Sequence, residues 1–416
     1  MAIKDDFEFI NSDVWLKYTQ DRYVPLEDIK YRLEKLNISK SDWPDLKLKI
    51  LAFRKLNSIP LFLESISKKF WFFPSDCILK KINHIEHVGN KLFEKIENYQ
   101  SFKEEFLTNS SIEEAITSAI YEGANSTRAA AKELIATEKV PATKDEWMLI
   151  NNFRAMQWIK ENHLSDVDKK LILVIHKMVT KNTLLGDDAN FSGKFRDDKV
   201  FVGSHEGVNF NLIESTLDEV ITLTTSNPRY LHGLVKGILL HYFIGYIHPF
   251  FDGNGRTART LFYYKAMKND LKFVELLSIS AYLKEHGNQY TKAFDLVKEN
   301  EMDITYFVDF CLDSLIESLN KVEEKVAYLM DIAILKEPFK LSSTQITFLQ
   351  KISLNKEKVI TIEAYAAAIN KSREIARKEL SDLAKKGFLK ETKVSRKYTY
   401  KLLPPILKER IIKYKV

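Results

Sequence analysis

The sequence predicts a mainly α-helical protein, and three observations carry that prediction. Only 13 glycines and 10 prolines punctuate 416 residues, so long stretches run without a helix breaker. Apolar residues recur at three- and four-residue spacings through most of the chain. Strand-like patterns are confined to short runs, one between Gly193 and Gly203 and two near the C-terminus. This length exceeds one ordinary domain, and a 45% hydrophobic content supplies core for two or three.

Residues 1–105 read as a first helical region, with helices over 25–36 and 46–54 and an aromatic cluster, Phe70-Trp71-Phe72-Phe73, for core or partner contact. The run from Ser110 to Thr127 reads as a helix over about 110–123. Ser110 or Ser111 caps its start, Ile112, Ile116, Ala119 and Ile120 form its apolar face, and Gly123 supplies a left-handed end. Ser118 and Glu122 are four apart and share a face. An acid in the last turn opposes the helix dipole, so Glu122 calls for a partner. Farther on, Asp197-Asp198 reads as the turn of a short hairpin over about 193–203.

The most apolar stretch, Gly237 to Phe251, contains His241 and His248 and is too short to span a bilayer. It reads as a core helix, with His241 a satisfied core residue. Pro249 favours extended backbone at His248, which helps end that helix. Gly253 and Gly255, flanking Asn254, can take positive φ and point successive backbone N–H groups into one concavity, which suits phosphate. A helix follows from Arg256 to about Lys268, and its N-terminus attracts an anion. Arg256 and Arg259, three apart, offer two guanidiniums for successive phosphates. Asp252 beside such a site suits Mg²⁺, and His248 has an imidazole that accepts a proton near neutral pH. These residue types in one loop point to nucleotide chemistry.

From Leu341 to Val416 there are 18 lysines or arginines against 7 acids, so the rest of the chain is net acidic. Helical patterns over 342–352, 362–369 and 372–386 precede Gly387 and strand-like runs over 388–393 and 397–402. That is the order of a winged helix-turn-helix. Ala376, Leu380 and Leu383 form the packing face of the third helix, while Arg373, Arg377 and Lys378 point elsewhere and could enter a major groove. The two cysteines, Cys77 and Cys311, have no metal-ligand spacing, and the acidic start MAIKDDFEFINSD has no leading apolar run. The expectation is a cytoplasmic protein without a membrane span.

Residues 248–259 match, position for position, the signature H-P-F-x-[D/E]-G-N-G-R-x-x-R, and the chain thereby resembles the Fic (filamentation induced by cAMP) family. The resemblance implies a Fic-type helical bundle with a β-hairpin flap over residues 106–335, a winged helix-turn-helix over 336–416, and protein adenylyltransferase activity. In that activity AMP passes from ATP to a Ser, Thr or Tyr hydroxyl of a protein and pyrophosphate leaves. His248 would be the base and Asp252 the Mg²⁺ ligand. Gly253, Asn254 and Gly255 would form the anion hole, and Arg256 and Arg259 would hold the outer phosphates. Relatives that act as kinases lack the second glycine of the signature, which is present here.

Ser118 to Gly123 resembles the family's inhibitory motif, [S/T]-x-x-x-E-[G/N]. On that resemblance Glu122 bonds Arg259 and keeps ATP out of the productive pose. The flap would align the target segment as an added strand. The partners implied are ATP, a protein substrate and a second copy, since family members often pair; the C-terminal winged helix could bind DNA or dock a protein, both being uses of that module. Tyr290 and Asn300 lie where the family places some adenine contacts. Two alternatives stay open: AMP removal by the same site, with Glu122 orienting a water, and a DNA-binding regulator whose Fic region senses nucleotide.

Overall fold

The structure, a computed structural model, describes residues 23–31, 39–99, 103–137, 139–203, 205–354, 359–394 and 397–415. It is mainly helical, with three small antiparallel sheets among the described residues. The described residues fall into two compact units, one within 1–90 and 111–319, the other within 91–110 and 320–416.

The first unit opens with α1 (Leu26–Lys30) and α2 (Trp43–Leu56). Residues 32–36 of the expected first helix, and the acidic N-terminal run, lie outside the described residues. Next come β1 (Ile59–Leu63) and β2 (Lys68–Phe72), a hairpin the sequence reading treated only as an aromatic cluster. Its Phe70, fully buried, meets Phe243 and Tyr246 edge-on at 5.2 and 5.1 Å. Helices α3 (Asp76–Glu97), α4 (Lys103–Tyr121) and α5 (Arg128–Thr137) follow, the end of α3 from residue 91 and the start of α4 up to residue 110 belonging to the second unit. Helix α4 begins well before the expected Ser110 cap. Ser110 is interior, its hydroxyl donating back to the Phe106 carbonyl at 3.1 Å. At the far end Gly123 takes φ 94°, as expected of a left-handed terminator.

Helix α6 (Lys144–Asn162) is capped by Thr143, whose hydroxyl accepts from Glu146 N at 3.2 Å while Glu146 accepts from Ala142 N at 2.6 Å. Asp168 caps α7 (Lys169–Val179) by accepting from Leu171 N at 2.7 Å. The short hairpin is β3 (Phe201–Val202) paired with β4 (His205–Glu206). It therefore sits around Gly203, later than the expected turn at Asp197-Asp198. The reason is Arg196, which is buried and bonded elsewhere, so its segment cannot serve as a free strand.

Helices α8 (Ile213–Thr225), α9 (Gly233–Ile247) and α10 (Asn254–Lys268) come next. The apolar α9 is buried along nearly its whole length, as its lack of a polar face dictates. Then come α11 (Ile279–Glu285), α12 (Gly287–Glu299) and α13 (Thr305–Asp331), the last passing into the second unit at residue 320.

In the second unit α14 (Ser343–Leu354), β5 (Val359–Thr361), α15 (Ile362–Ile369), α16 (Arg373–Lys385), β6 (Leu389–Val394), β7 (Lys397–Leu402) and α17 (Pro404–Tyr414) succeed one another. The sheet order is β5-β7-β6, with β5 an addition to the sequence reading. Ala376, Leu380 and Leu383 are fully buried, while Arg373, Arg377 and Lys378 are exposed. No helix among the described residues is long and apolar enough to cross a membrane.

Candidate active site

The loop between α9 and α10 carries the predicted residues, and its conformation departs from the sequence reading at two points. His248 is not extended: it stands in the left-handed region at φ 52° and ψ 59°. Such a conformation is unfavourable for a residue with a Cβ and persists only where its surroundings fix it. Here Arg196 does the fixing. Its Nε donates to the His248 carbonyl at 2.8 Å, its Nη2 to the Val208 carbonyl, and its backbone N–H to the Pro249 carbonyl at 3.0 Å. Val208 N and His205 Nε2 serve the carbonyls of Ile247 and Tyr246 at 3.1 and 2.7 Å. The last carbonyls of α9, orphaned by the helix end, are thus satisfied from the hairpin region.

Gly253 takes φ 84°, as expected, and a side chain there would stand 2.6 Å from Thr180 Cγ2. Gly255, in contrast, is helical and does not need positive φ. Its reason for being glycine is what lies above it: a Cβ would overlap Glu122 Oε1 and stand 3.0 Å from Arg259 Nη1. Asn254 spends its side chain on the loop, accepting from Phe250 N at 3.0 Å and donating to Phe250 O at 2.8 Å.

The two arginines face different partners. Arg256, its side chain fully buried, donates to Val179 O at 2.7 Å and to Asp252 Oδ1 at 3.2 Å. Arg259 points the other way. Its Nη2 reaches Glu122 Oε1 at 2.7 Å, and its Nε and Nη2 donate to Ser118 Oγ at 3.1 and 2.9 Å. The pairing expected across 137 positions is therefore formed, with Ser118 in it. Tyr121 lies 5.5 Å from the same guanidinium. Burial works against the charge of Arg259, but Glu122, Tyr290 and Glu114 outweigh it and hold its pKa above the ordinary arginine value.

Burial pushes the His248 imidazole down to about 4, with the nearby Arg196 and His205 acting in the same direction and Glu122 opposing. The ring is neutral at pH 7. Its Nδ1 faces the Gly245 carbonyl at 3.3 Å, and a carbonyl only accepts, so the proton sits on Nδ1 and Nε2 carries the free lone pair. Asp252 is partly exposed and takes the Gly253 N–H at 2.5 Å on Oδ1. Among the described residues no group of three or more His, Cys, Asp or Glu could enclose a metal ion. A lone, accessible carboxylate fits an ion shared with a polyphosphate, as Mg²⁺ commonly is.

Besides Arg196, a second positioning residue is not singled out by the sequence. His176 on α7 stacks on Phe250 at 3.6 Å, accepts from Gly193 N on Nδ1 at 3.1 Å, and so donates from Nε2 to Asp252 O at 3.0 Å. Nothing in its local pattern set it apart from a core histidine. Tyr290 is half-buried with its hydroxyl 2.9 Å from His241 Nε2, and Asn300 donates to Leu296 O at 2.8 Å.

His241 gives a pH prediction. Burial first, then Arg259, push its pKa down to about 3, while Tyr290 faces its Nε2. An unfolded histidine titrates near about 6.5, so between the two values the unfolded chain binds the extra proton. The stability that His241 contributes is complete above about 6.5 and falls by about 1.4 kcal/mol per pH unit as acid is added. Urea unfolding of wild type and His241→Gln at pH 7, 6 and 5 should show this slope as a difference. Parallel pH profiles would contradict it.

With this geometry in view, residues 166–265 match the Fic/DOC family, and the chain carries a domain of that family. Protein adenylyltransferase Fic of Drosophila yakuba is 29% identical over 169 residues, 40% of this chain and 32% of the relative. Protein adenylyltransferase fic-1 of Caenorhabditis briggsae is 34% identical over 103 residues, 24% of this chain and 19% of the relative. The chain spans about a third or less of the length of the curated relatives it matches. A solved Fic family protein from Desulfovibrio desulfuricans G20 is 16% identical, with a TM-score of 0.49 over 77% of this chain and 95% of that one.

Proposed function

We propose that the protein is an adenylyltransferase that moves AMP from ATP to a protein hydroxyl and is held inactive by Glu122. The observation that carries this reading is the seat of the Glu122 carboxylate. It lies over Gly255 at the start of α10 and 2.7 Å from Arg259, where helix N–H groups and a guanidinium favour an anion. A polyphosphate has the same needs, so carboxylate and nucleotide compete for one place.

With Glu122 withdrawn, the phosphates of ATP rest on the backbone of Gly253, Asn254 and Gly255, and Arg259 holds the outermost. Arg256 contributes charge from beneath, since its donors already serve Val179 and Asp252. Asp252, with phosphate oxygens and water, would hold Mg²⁺, which supplies charge neutralisation for the phosphates. The target hydroxyl loses its proton to His248 Nε2, its oxygen bonds to the α-phosphorus, and the bond to the β-phosphate oxygen breaks to release pyrophosphate. The exposed strand Phe201–Val202 offers an open edge on which an extended target segment can lie.

We read 106–335 as the catalytic part and 336–416 as a winged helix. The exposed Arg373, Arg377 and Lys378 on α16 support nucleic-acid binding by the latter. Duplex DNA should then bind with a steep loss of affinity between 50 and 200 mM salt, of order a hundredfold or more; no binding at 50 mM would remove the idea. The transferase reading is tested by intact mass. After incubation of Glu122→Gly with ATP and Mg²⁺, protein should gain AMP, and no gain should occur when His248→Ala is added.

A further inference from the structure

We propose that Glu114 is a positioning residue for the inhibitory pair, setting the register of α4 so that Glu122 reaches Arg259. The proposal rests on the autoinhibited reading above and adds a residue that touches neither nucleotide nor target. Glu114, Ser118 and Glu122 follow one another at four-residue steps, and Glu122, just past the end of α4, still bonds its N–H to Ser118 O at 3.3 Å, so all three share one face. The two later rungs hold Arg259.

The first rung is built differently. Glu114 is only 2% exposed, a costly place for a carboxylate unless its oxygens are served. They are served from the start of α11: Oε2 accepts from Ser278 Oγ at 2.9 Å and Ser280 N at 3.0 Å, and Oε1 from Ser280 Oγ at 2.5 Å. Thr117 Oγ1 adds a hydroxyl contact to Ser278 Oγ at 3.2 Å. On α10, Tyr263 lies one turn beyond Arg259, and its hydroxyl accepts from Ile279 N at 3.0 Å. The segment that receives Glu114 is thus tied to the same helix that receives Glu122.

Two rungs separated by eight residues lie about 12 Å apart along the helix. A slide or rotation of α4 by one residue would take both carboxylates off their partners together, whereas a single rung would let the helix pivot. An apolar side chain would fill the space equally well without specifying a register. The carboxylate, with three directed donors, specifies it.

The test is a double-mutant cycle on the full chain with Glu114→Gln, chosen because the amide keeps the volume, and Glu122→Gly. In the Glu122 background, Glu114→Gln should tighten Mg²⁺-ATP binding and raise AMP transfer by roughly tenfold. In the Glu122→Gly background it should change neither. Hydrogen exchange of residues 111–122 should quicken in Glu114→Gln. Equal effects in both backgrounds would reduce Glu114 to a stability role, and unchanged exchange together with unchanged ATP affinity would overturn the proposal. Failure of Glu122→Gly itself to gain activity would sink the underlying autoinhibited reading, while the exchange measurement would still decide whether Glu114 holds α4. Should Glu114→Gln fold poorly, Ser280→Ala, which removes one donor and leaves the carboxylate, must show the same background dependence.

Discussion

Glu122→Gly protein is expected to transfer AMP roughly a hundredfold faster than wild type. The magnitude follows from the pair it breaks. Removing one member of a buried ion pair costs about 3 to 5 kcal/mol, because the other is left charged without a partner. Arg259, 2% exposed, would be left so, and the phosphates of ATP are the ligand that relieves it. About 3 kcal/mol recovered in nucleotide binding corresponds to roughly a hundredfold. The measurement is the rate of AMP incorporation from labelled ATP at a fixed, subsaturating concentration. The same variant separates transfer from AMP removal. If Glu122 oriented a water for removal, hydrolysis of AMP-modified protein would vanish in this variant, whereas transfer should rise. Equal transfer by mutant and wild type would contradict inhibition by Glu122.

His248→Ala, placed in the Glu122→Gly background, should lower transfer by about a hundredfold to ten-thousandfold, the range for loss of a positioned base. ATP affinity should change little, since His248 lies on the α9 side of the loop and makes its bonds to Gly245 and, through its carbonyl, Arg196. A loss in turnover with the dissociation constant of ATP unchanged is therefore the expected signature. Matching losses in both would mean that the left-handed loop has collapsed rather than that a base is missing. If transfer persists at the same rate, His248 is not the base.

The candidate catalytic loop was legible because its residues are packed into consecutive positions. His248, Asp252, Gly253 and Arg259 needed no knowledge of distant chain, and their surroundings followed from one helix ending and another beginning. The partner of Arg259 is 137 residues away, and only the family resemblance joined Glu122 to it. Residues whose roles depend on contacts alone left no trace. A helix starting at Ser110 or Ser111 would put Glu114 in its first turn, yet α4 starts at Lys103 and buries it. Arg196 looked like part of a strand, yet the unsatisfied carbonyls of α9 hold it more strongly than a hairpin partner could, which moved the hairpin to Phe201–Glu206. Gly255 was assigned a left-handed backbone when the true constraint was a carboxylate directly overhead. Periodicity specifies helices well, but it does not say which polar group a helix end will recruit.

The most direct measurement is a crystal structure of the Glu122→Gly protein with Mg²⁺ and a non-hydrolysable ATP analogue. Its phosphates should lie on the backbone of Gly253 to Gly255, with Arg259 turned onto the outermost phosphate and His248 Nε2 facing the α-phosphorus. Nucleotide bound away from the start of α10, or Arg259 still turned toward Ser118 with the phosphates elsewhere, would contradict the shared anion seat on which the proposed regulation depends.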